Sequence, residues 1–268
     1  MQQTVKTTSL FQRWFRFCHL LLHFAKGLLI VALIYPRKDN AWQRATVQRW
    51  GQRLLQGLNV ELKIHGALPA GKKLMVSNHI SWLDNFVVQA LCPAHFVAKS
   101  EIRDWPVMGW LVAHTGALFI ERARRHHTLK INQDMMAALD SGDSVALFPE
   151  GTTGDGMTVR SFHSSLLQAC IGSNAALMPM GLRYVSADGT QTHAADYVGD
   201  MSFMTSLKNV LREEKIIAEL RIGSAIEVAG KSRRDLAHEA EQAVATLLGL
   251  AAPHRILKTP PDLPAETR

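Results

Sequence analysis

From residue 59 onward, short apolar runs alternate with stretches in which apolar residues recur every three or four positions. Val60 to Ile64, Leu74 to Val76, His95 to Ala98, Ala117 to Ile120, Val145 to Phe148, Leu177 to Leu182 and Ile216 to Ile226 read as strands. Asp84 to Leu91, Thr128 to Leu139, Phe162 to Ile171, Phe203 to Arg212 and Arg234 to Leu250 read as helices. Strands alternating with helices need crossovers, which predicts an α/β fold with a largely parallel sheet flanked by helices. Reactive groups in such a sheet sit on loops leaving the strand ends.

Before residue 59 the pattern changes. Leu20 to Tyr35 is sixteen mostly apolar residues, short of the ~20 that a helix needs to cross a bilayer core. Gln12, Arg16, His19, His23 and Lys26 fall at steps of four, three, four and three, one polar stripe on an apolar cylinder. The stripe predicts a helix lying in a membrane interface rather than a buried core helix. Arg13 and Trp14 before it and Tyr35, Arg37 and Lys38 after it are types that settle at headgroup level. Tyr35-Pro36-Arg37 stands where a cleavable signal peptide would need small residues. A second amphipathic helix is expected over Ala41 to Leu58, with Val47, Trp50, Leu54 and Leu58 on one face, docked on the membrane or on the domain. The expected organisation is 1–58 membrane-associating helices, 59–252 the α/β domain and 253–268 a Pro-rich tail.

Composition narrows the class. With 268 residues, 47% hydrophobic and 20% charged, the chain is neither disordered nor a multi-span membrane protein. Thirty Lys and Arg against 23 Asp and Glu leave a net charge of +7, which favours an anionic partner: nucleic acid, an anionic bilayer or an acidic substrate. Cys18, Cys92 and Cys170 are odd in number and far apart, which excludes a disulfide framework and a CxxC metal site and fits a reducing compartment.

Three constellations can carry chemistry. After the strand Leu74 to Val76 comes Ser77-Asn78-His79-Ile80-Ser81-Trp82-Leu83-Asp84. His79 and Asp84 are five apart, so a helix alone would separate them and a strand-to-helix turn would be needed to join them. Two readings stay open: Asp84 caps a helix that starts at Ser81, or it holds one imidazole nitrogen of His79 and leaves the other as a general base. The second constellation, Phe148-Pro149-Glu150-Gly151-Thr152-Thr153-Gly154-Asp155-Gly156, follows the strand Val145 to Leu147 and offers backbone and hydroxyl donors to an anion or a carbonyl oxygen. It is neither a Walker A loop nor GxGxxG, which disfavours nucleotide binding. The third is a strand ending in Phe119-Ile120-Glu121-Arg122, where a guanidinium suits bidentate contact with phosphate. Arg124, Arg125, His126 and His127 read as a solvated basic loop, without the partners a zinc site requires. There is no GxSxG nucleophile elbow, so transfer would pass directly from donor to acceptor.

Taken in order, Asn78-His79-x4-Asp84, Phe119-Ile120-x-Arg122, Phe148-Pro149-Glu150-Gly151-Thr152 and Pro179 resemble the four motifs of the glycerolipid acyltransferase family over about residues 70–185, most nearly the bacterial lysophosphatidic acid acyltransferases. The resemblance implies His79 as base, Asp84 as its orienter and Arg122 as a ligand of the acceptor phosphate. Asn78, Phe119, Glu150, Gly151, Thr152, Thr153 and Pro179 would belong to the substrate site. It further implies an N-terminal two-helix membrane module and acyl transfer to a lysophospholipid at the cytoplasmic face of the inner membrane. The donor would be an acyl carrier protein or coenzyme A thioester, with no metal, no further cofactor and no nucleic-acid partner. The wording of Gly151 to Gly156 and Tyr197 to Met201 is also similar to relatives that acylate lyso-ornithine lipids, the second acceptor expected. From other classes stand a thioesterase, with water in place of the lipid hydroxyl, and a non-catalytic membrane adaptor.

Overall fold

The computed structural model describes residues 7–120 and 125–253. Seven strands form one sheet: β1 (Val60–His65), β2 (Lys73–Ser77), β3 (His95–Lys99), β4 (Leu118–Ile120), β5 (Val145–Leu147), β6 (Ala176–Ser186) and β7 (Ile216–Ile222), in the order β1-β7-β6-β2-β5-β3-β4. Every neighbouring pair is parallel except β6 with β7. The helices are α1 (Leu10–Leu33), α2 (Asn40–Gly57), α3 (Leu83–Leu91), α4 (Met108–His114), α5 (Arg125–Asp140), α6 (Gln168–Ser173), α7 (Phe203–Arg212) and α8 (Arg233–Leu248).

The central strands are covered on both faces, which is why they read as unbroken apolar runs. Met75 points into one core with Leu54, Leu83 and Val87, while Leu74 and Val76 point into the other with Met135, Leu236 and Val244. The stretch Ile216 to Ile226 is not one strand. β7 stops at Ile222, the chain bends at Gly223, and Ile226 returns as a lone bridge to Leu177. A Cβ at Gly223 would lie 3.0 Å from the Pro179 ring and 3.3 Å from its carbonyl oxygen, so glycine lets the chain pass close to β6. Phe162 to Ile171 opens as a 3-10 turn over Ser164–Leu167 before α6 begins. The sequence reading has no counterpart of α4, a seven-residue helix with no side-chain cap.

At the N-terminus α1 is longer than its apolar stretch implied. Ser9 and Gln12 form a reciprocal capping box that starts the helix at Leu10. Its 24 residues are long and apolar enough to cross a membrane by length and composition. The polar stripe splits: Gln12, His19 and Lys26 are exposed, while its other two members turn to the domain. Arg16 donates to the Glu213 and Glu214 carbonyls, and His23 Nε2 lies 3.1 Å from the Trp50 carbonyl with its ring stacked on that indole. Gly27 lets the helix approach Trp50, since a Cβ there would sit 2.7 Å from its Nε1. The outward side carries Leu10, Phe11, Trp14, Phe15, Leu22 and Leu29.

Of the two options for the second helix, α2 takes the domain. Gly51 packs on the α3 backbone, and Gln48 and Gln52 donate to the Ala90 carbonyl at its C-terminal end. These donors meet carbonyls that a helix end leaves unpaired.

Candidate functional site

β2 and β5 are parallel neighbours with Val76 opposite Leu147, so the loops leaving their C-terminal ends meet. The first holds His79 and the second holds Glu150. The Gly154 N–H ties them together by donating to the His79 carbonyl at 2.7 Å.

The turn after β2 brings His79 and Asp84 into contact, with Nδ1 and Oδ2 2.7 Å apart. The same Oδ2 accepts from the backbone N–H groups of Ile80 at 2.7 Å and Ser81 at 2.9 Å, while Oδ1 accepts from the Tyr184 hydroxyl at 2.7 Å. Asp84 therefore both caps the turn and holds the imidazole, so the two readings of the pair describe one carboxylate. The helix itself starts at Leu83 rather than Ser81, and Ser81 Oγ accepts from the Leu83 N–H instead of completing a capping box. With Oδ2 already accepting from two amides, the imidazole Nδ1–H is the donor in the third contact. That tautomer leaves Nε2 with its lone pair free, and the His79 side chain retains 18% exposure where Asp84 has none.

Tyr184 escapes the sequence reading, which ends its strand at Leu182. β6 runs to Ser186 and overhangs β2, because Ser77 pairs with Met180 and four more residues carry the phenol past the strand end to Asp84. The continuing apolar alternation through Val185 was the available signal. Burial, then the Asp84 charge, push the Tyr184 pKa well up, so the phenol stays a donor. Phe148 is the other unanticipated neighbour: its ring stacks on His79 at 4.2 Å between centroids, and Phe96 stacks behind it at 5.9 Å.

The remaining expected residues divide. Glu150 is buried, and its Oε1 accepts from the Arg160 N–H at 3.3 Å. Burial pushes its carboxyl pKa up to about 8, with the N–H groups of Arg160 and His79 pulling the other way. Gly151, at φ +75°, turns the loop and donates to the Phe148 carbonyl at 3.1 Å. Thr152 is exposed, and the Thr153 hydroxyl donates to the Tyr197 carbonyl, pinning the 192–200 segment over the site.

Asn78 is committed to the fold: its amide donates to the Leu182 carbonyl at 2.9 Å and accepts from the Leu182 N–H at 2.8 Å. Pro179 is buried in β6 with its ring against Gly223, on the sheet face away from Tyr184. Phe119 lies on β4 with the Arg103 guanidinium 4.7 Å over its ring. Arg122, together with the side chains of Arg124, Arg125, His126 and His127, lies outside the described residues, as does the chain after residue 253.

The chain is similar to proteins of known family. Residues 59–183 match a family model described as Acyltransferase. The chain is 36% identical over 220 residues to a lyso-ornithine lipid O-acyltransferase of Pseudomonas aeruginosa, covering 81% of this chain and 84% of that one. It is 32% identical over 213 residues to a 1-acyl-sn-glycerol-3-phosphate acyltransferase of Neisseria meningitidis, covering 78% and 82%. Among solved structures it resembles the 1-acyl-sn-glycerophosphate acyltransferase PlsC of Thermotoga maritima, with a TM-score of 0.67 at 18% identity over 90% of this chain and 94% of that one.

Proposed function

Because the chain belongs to the acyltransferase family, we propose that it moves a fatty acyl group from an acyl carrier protein or coenzyme A thioester to the free hydroxyl of a lysophospholipid. The observation that carries this reading is the 2.7 Å contact of His79 Nδ1 with Asp84, which leaves Nε2 free at an accessible edge. Nε2 takes the hydroxyl proton as the lipid oxygen attacks the thioester carbonyl carbon. The tetrahedral intermediate then expels the thiolate, which recovers that proton from the imidazolium, leaving an ester and a free thiol. A general-base step of this kind contributes about 10²–10⁴ in rate, with positioning and oxyanion stabilisation supplying the remainder.

Two acceptors are in play. Lysophosphatidic acid is the one implied by the motifs, and it would rely on Arg122. Lyso-ornithine lipid draws support from the 36% identical relative and from two carboxylates near the pair. Asp155 follows the Gly154 that bonds to His79, and Asp196 is buried with Oδ1 unpartnered and Oδ2 2.8 Å from His193 Nδ1; burial raises its pKa, the His193 contact opposes that, and the charges of Asp155 and Asp84 add to the rise. Such carboxylates complement an ornithine ammonium and repel a phosphate.

The proposed setting is the cytoplasmic face of the inner membrane, with the outward side of α1 in the headgroup region. The docking of α1 on α2 and α7 from Thr8 to Val31 supports a helix lying along the surface, since a spanning helix would leave the domain behind.

Mass spectrometry of products from each acyl donor, with a panel of lysolipids, tests the whole reading. Diacyl lipid is expected, and the preferred headgroup names the acceptor. Free fatty acid alone would mean a thioesterase, and no product with folded protein would leave an adaptor.

A further inference from the structure

We propose that the knob formed by residues 100–114 is a second membrane-contacting element, which inserts Trp105, Val107 and Trp110 into the bilayer beside α1. The inference rests on the reading above that the substrate is a membrane lipid.

Three large apolar side chains crowd into six residues here, with exposures of 47% for Trp105, 56% for Val107 and 40% for Trp110. Single exposed apolar residues are ordinary on a soluble surface, whereas a contiguous group marks an interaction site. Two of the three are tryptophans, whose amphipathic rings favour the headgroup boundary.

The knob has a built shape. A 3-10 turn over Ser100–Asp104 runs directly into Trp105-Pro106-Val107 and α4. Gly109 sits so close to that turn that a Cβ would lie 2.1 Å from the Arg103 carbonyl oxygen. Val107 holds φ at +65°, a region that a β-branched residue enters only at a cost. The fold keeps an apolar side chain at the tip where glycine would relieve the backbone.

Placement then selects the occupant. The knob leaves the C-terminal end of β3, the sheet edge at which His79 follows β2, and α4 packs against α1. It therefore lies beside α1, whose outward side is apolar, so that one bilayer would wet both. Local charge argues against an acidic protein such as a carrier domain, because exposed Lys99 and Arg103 are matched by exposed Glu101 and Asp104. Apolar insertion, rather than attraction to charge, is the contact. Two contacts on one side would hold the His79 edge of the sheet against the headgroups, where a lysolipid reaches Nε2 without leaving the membrane.

The test uses the full chain and flotation with phosphatidylethanolamine–phosphatidylglycerol vesicles at low and high salt. Val107→Gly relaxes the tip backbone, so it removes the side chain without endangering the fold, and Trp105→Ser removes one indole. Leu129→Asp, at a still more exposed leucine on α5, is the control. Each knob variant should lower the vesicle partition coefficient by about fivefold, the scale of burying the half of one large apolar side chain that is still exposed, and by the same factor at both salt concentrations. The control should bind as wild type, and all three should keep their turnover on a short-chain, water-soluble lysolipid.

Wild-type partition of both knob variants would overturn the inference. So would a defect confined to turnover with an acyl carrier protein donor, or a lipid-independent change of oligomeric state, since these place a protein on the knob instead. Binding is read without turnover, so an inactive wild type that still binds through the knob would sink the functional reading alone.

Discussion

Around Asp84 both carboxylate oxygens are taken by donors, whereas along the outward side of α1 a row of large apolar side chains lies open. The first region is polar and hidden, and the second is apolar and displayed. Each inverts the ordinary rule for a soluble protein, and for opposite reasons. A carboxylate without solvent needs every lone pair met, and meeting them fixes its position, which is what an orienting group requires. An apolar face left open needs a solvent other than water. The inner side of α1 reinforces the contrast: Arg16 and His23 turn their polar atoms toward the domain, where backbone carbonyls receive them. With those two polar groups docked inward and a row of large apolar side chains outward, α1 fits the lipid contact proposed for it.

The largest expected effect lies at the hidden end. His79→Ala should lower turnover by at least ~10² through loss of the base, with the protein still folded, because Asp84 Oδ2 keeps its two backbone donors when the imidazole and its stack on Phe148 are lost. Folded protein with near-wild-type turnover would remove the pair from the chemistry. Next comes Tyr184→Phe, which leaves Asp84 Oδ1 without its donor in a buried site. Such an orphaned acceptor costs about 1–3 kcal/mol, and turnover should fall on the order of tenfold as the imidazole loses its fixed partner. Combining Tyr184→Phe with Asp84→Asn separates the two roles. If the phenol acts through Asp84, its effect on turnover shrinks sharply in the Asn background, while additive losses would make Tyr184 a packing residue only.

How far these two regions were legible in the sequence differs with the range of the contacts involved. His79 and Glu150 lie on loops directly after apolar strand cores, with Asp84 in the first turn of α3, and strand order places those loops side by side. The alternation of elements places them at one sheet edge, while their roles rest on the resemblance of the ordered motifs. Tyr184 was not found, because its role depends on how far β6 overhangs β2, a matter of register between segments about a hundred residues apart. Asn78 was read as a substrate ligand on the strength of its motif, yet its amide is spent on the Leu182 backbone. The polar stripe on α1 was visible as a spacing, but periodicity says which residues share a face and not which way the face turns. α4 left no trace because its start depends on a strained Val107 rather than on a capping residue.

The two sides of α1 give the next contrast. Gly27→Val places a side chain where a Cβ already meets the Trp50 indole at 2.7 Å, and overpacking of this kind costs about 1–3 kcal/mol. Its thermal transition should drop by several degrees. Leu22→Asp, on the open side, should leave the transition in place and lower the fraction of protein bound to vesicles. Calorimetry and flotation on the same two variants check the assignment. An unstable Leu22→Asp with normal vesicle binding would mean that this side of the helix packs against protein.

The smallest effect separates a charged from a neutral carboxyl within the hidden region itself. Burial pushes Glu150 up to about 8, from an ordinary value of 4.5. Between those two pH values the folded protein holds a proton that the unfolded chain has released. Stability from this group is therefore fully present below about pH 4.5 and is lost as pH rises toward 8, with a slope of at most about 1.4 kcal/mol per pH unit. Glu150→Gln keeps the shape of the neutral acid and has no proton to lose, so its stability curve should lack that slope. Urea denaturation midpoints of the wild type and the variant at pH 5, 6, 7 and 8 give the comparison, with the variant gaining on the wild type at each step. Parallel curves would mean that Glu150 is ionised in the folded protein, and its carboxylate would then join Asp155 and Asp196 as a seat for an ammonium group. Diverging curves leave a neutral carboxyl beside His79, able to donate a hydrogen bond to an acceptor oxygen and adding no negative charge where the thioester oxyanion must form.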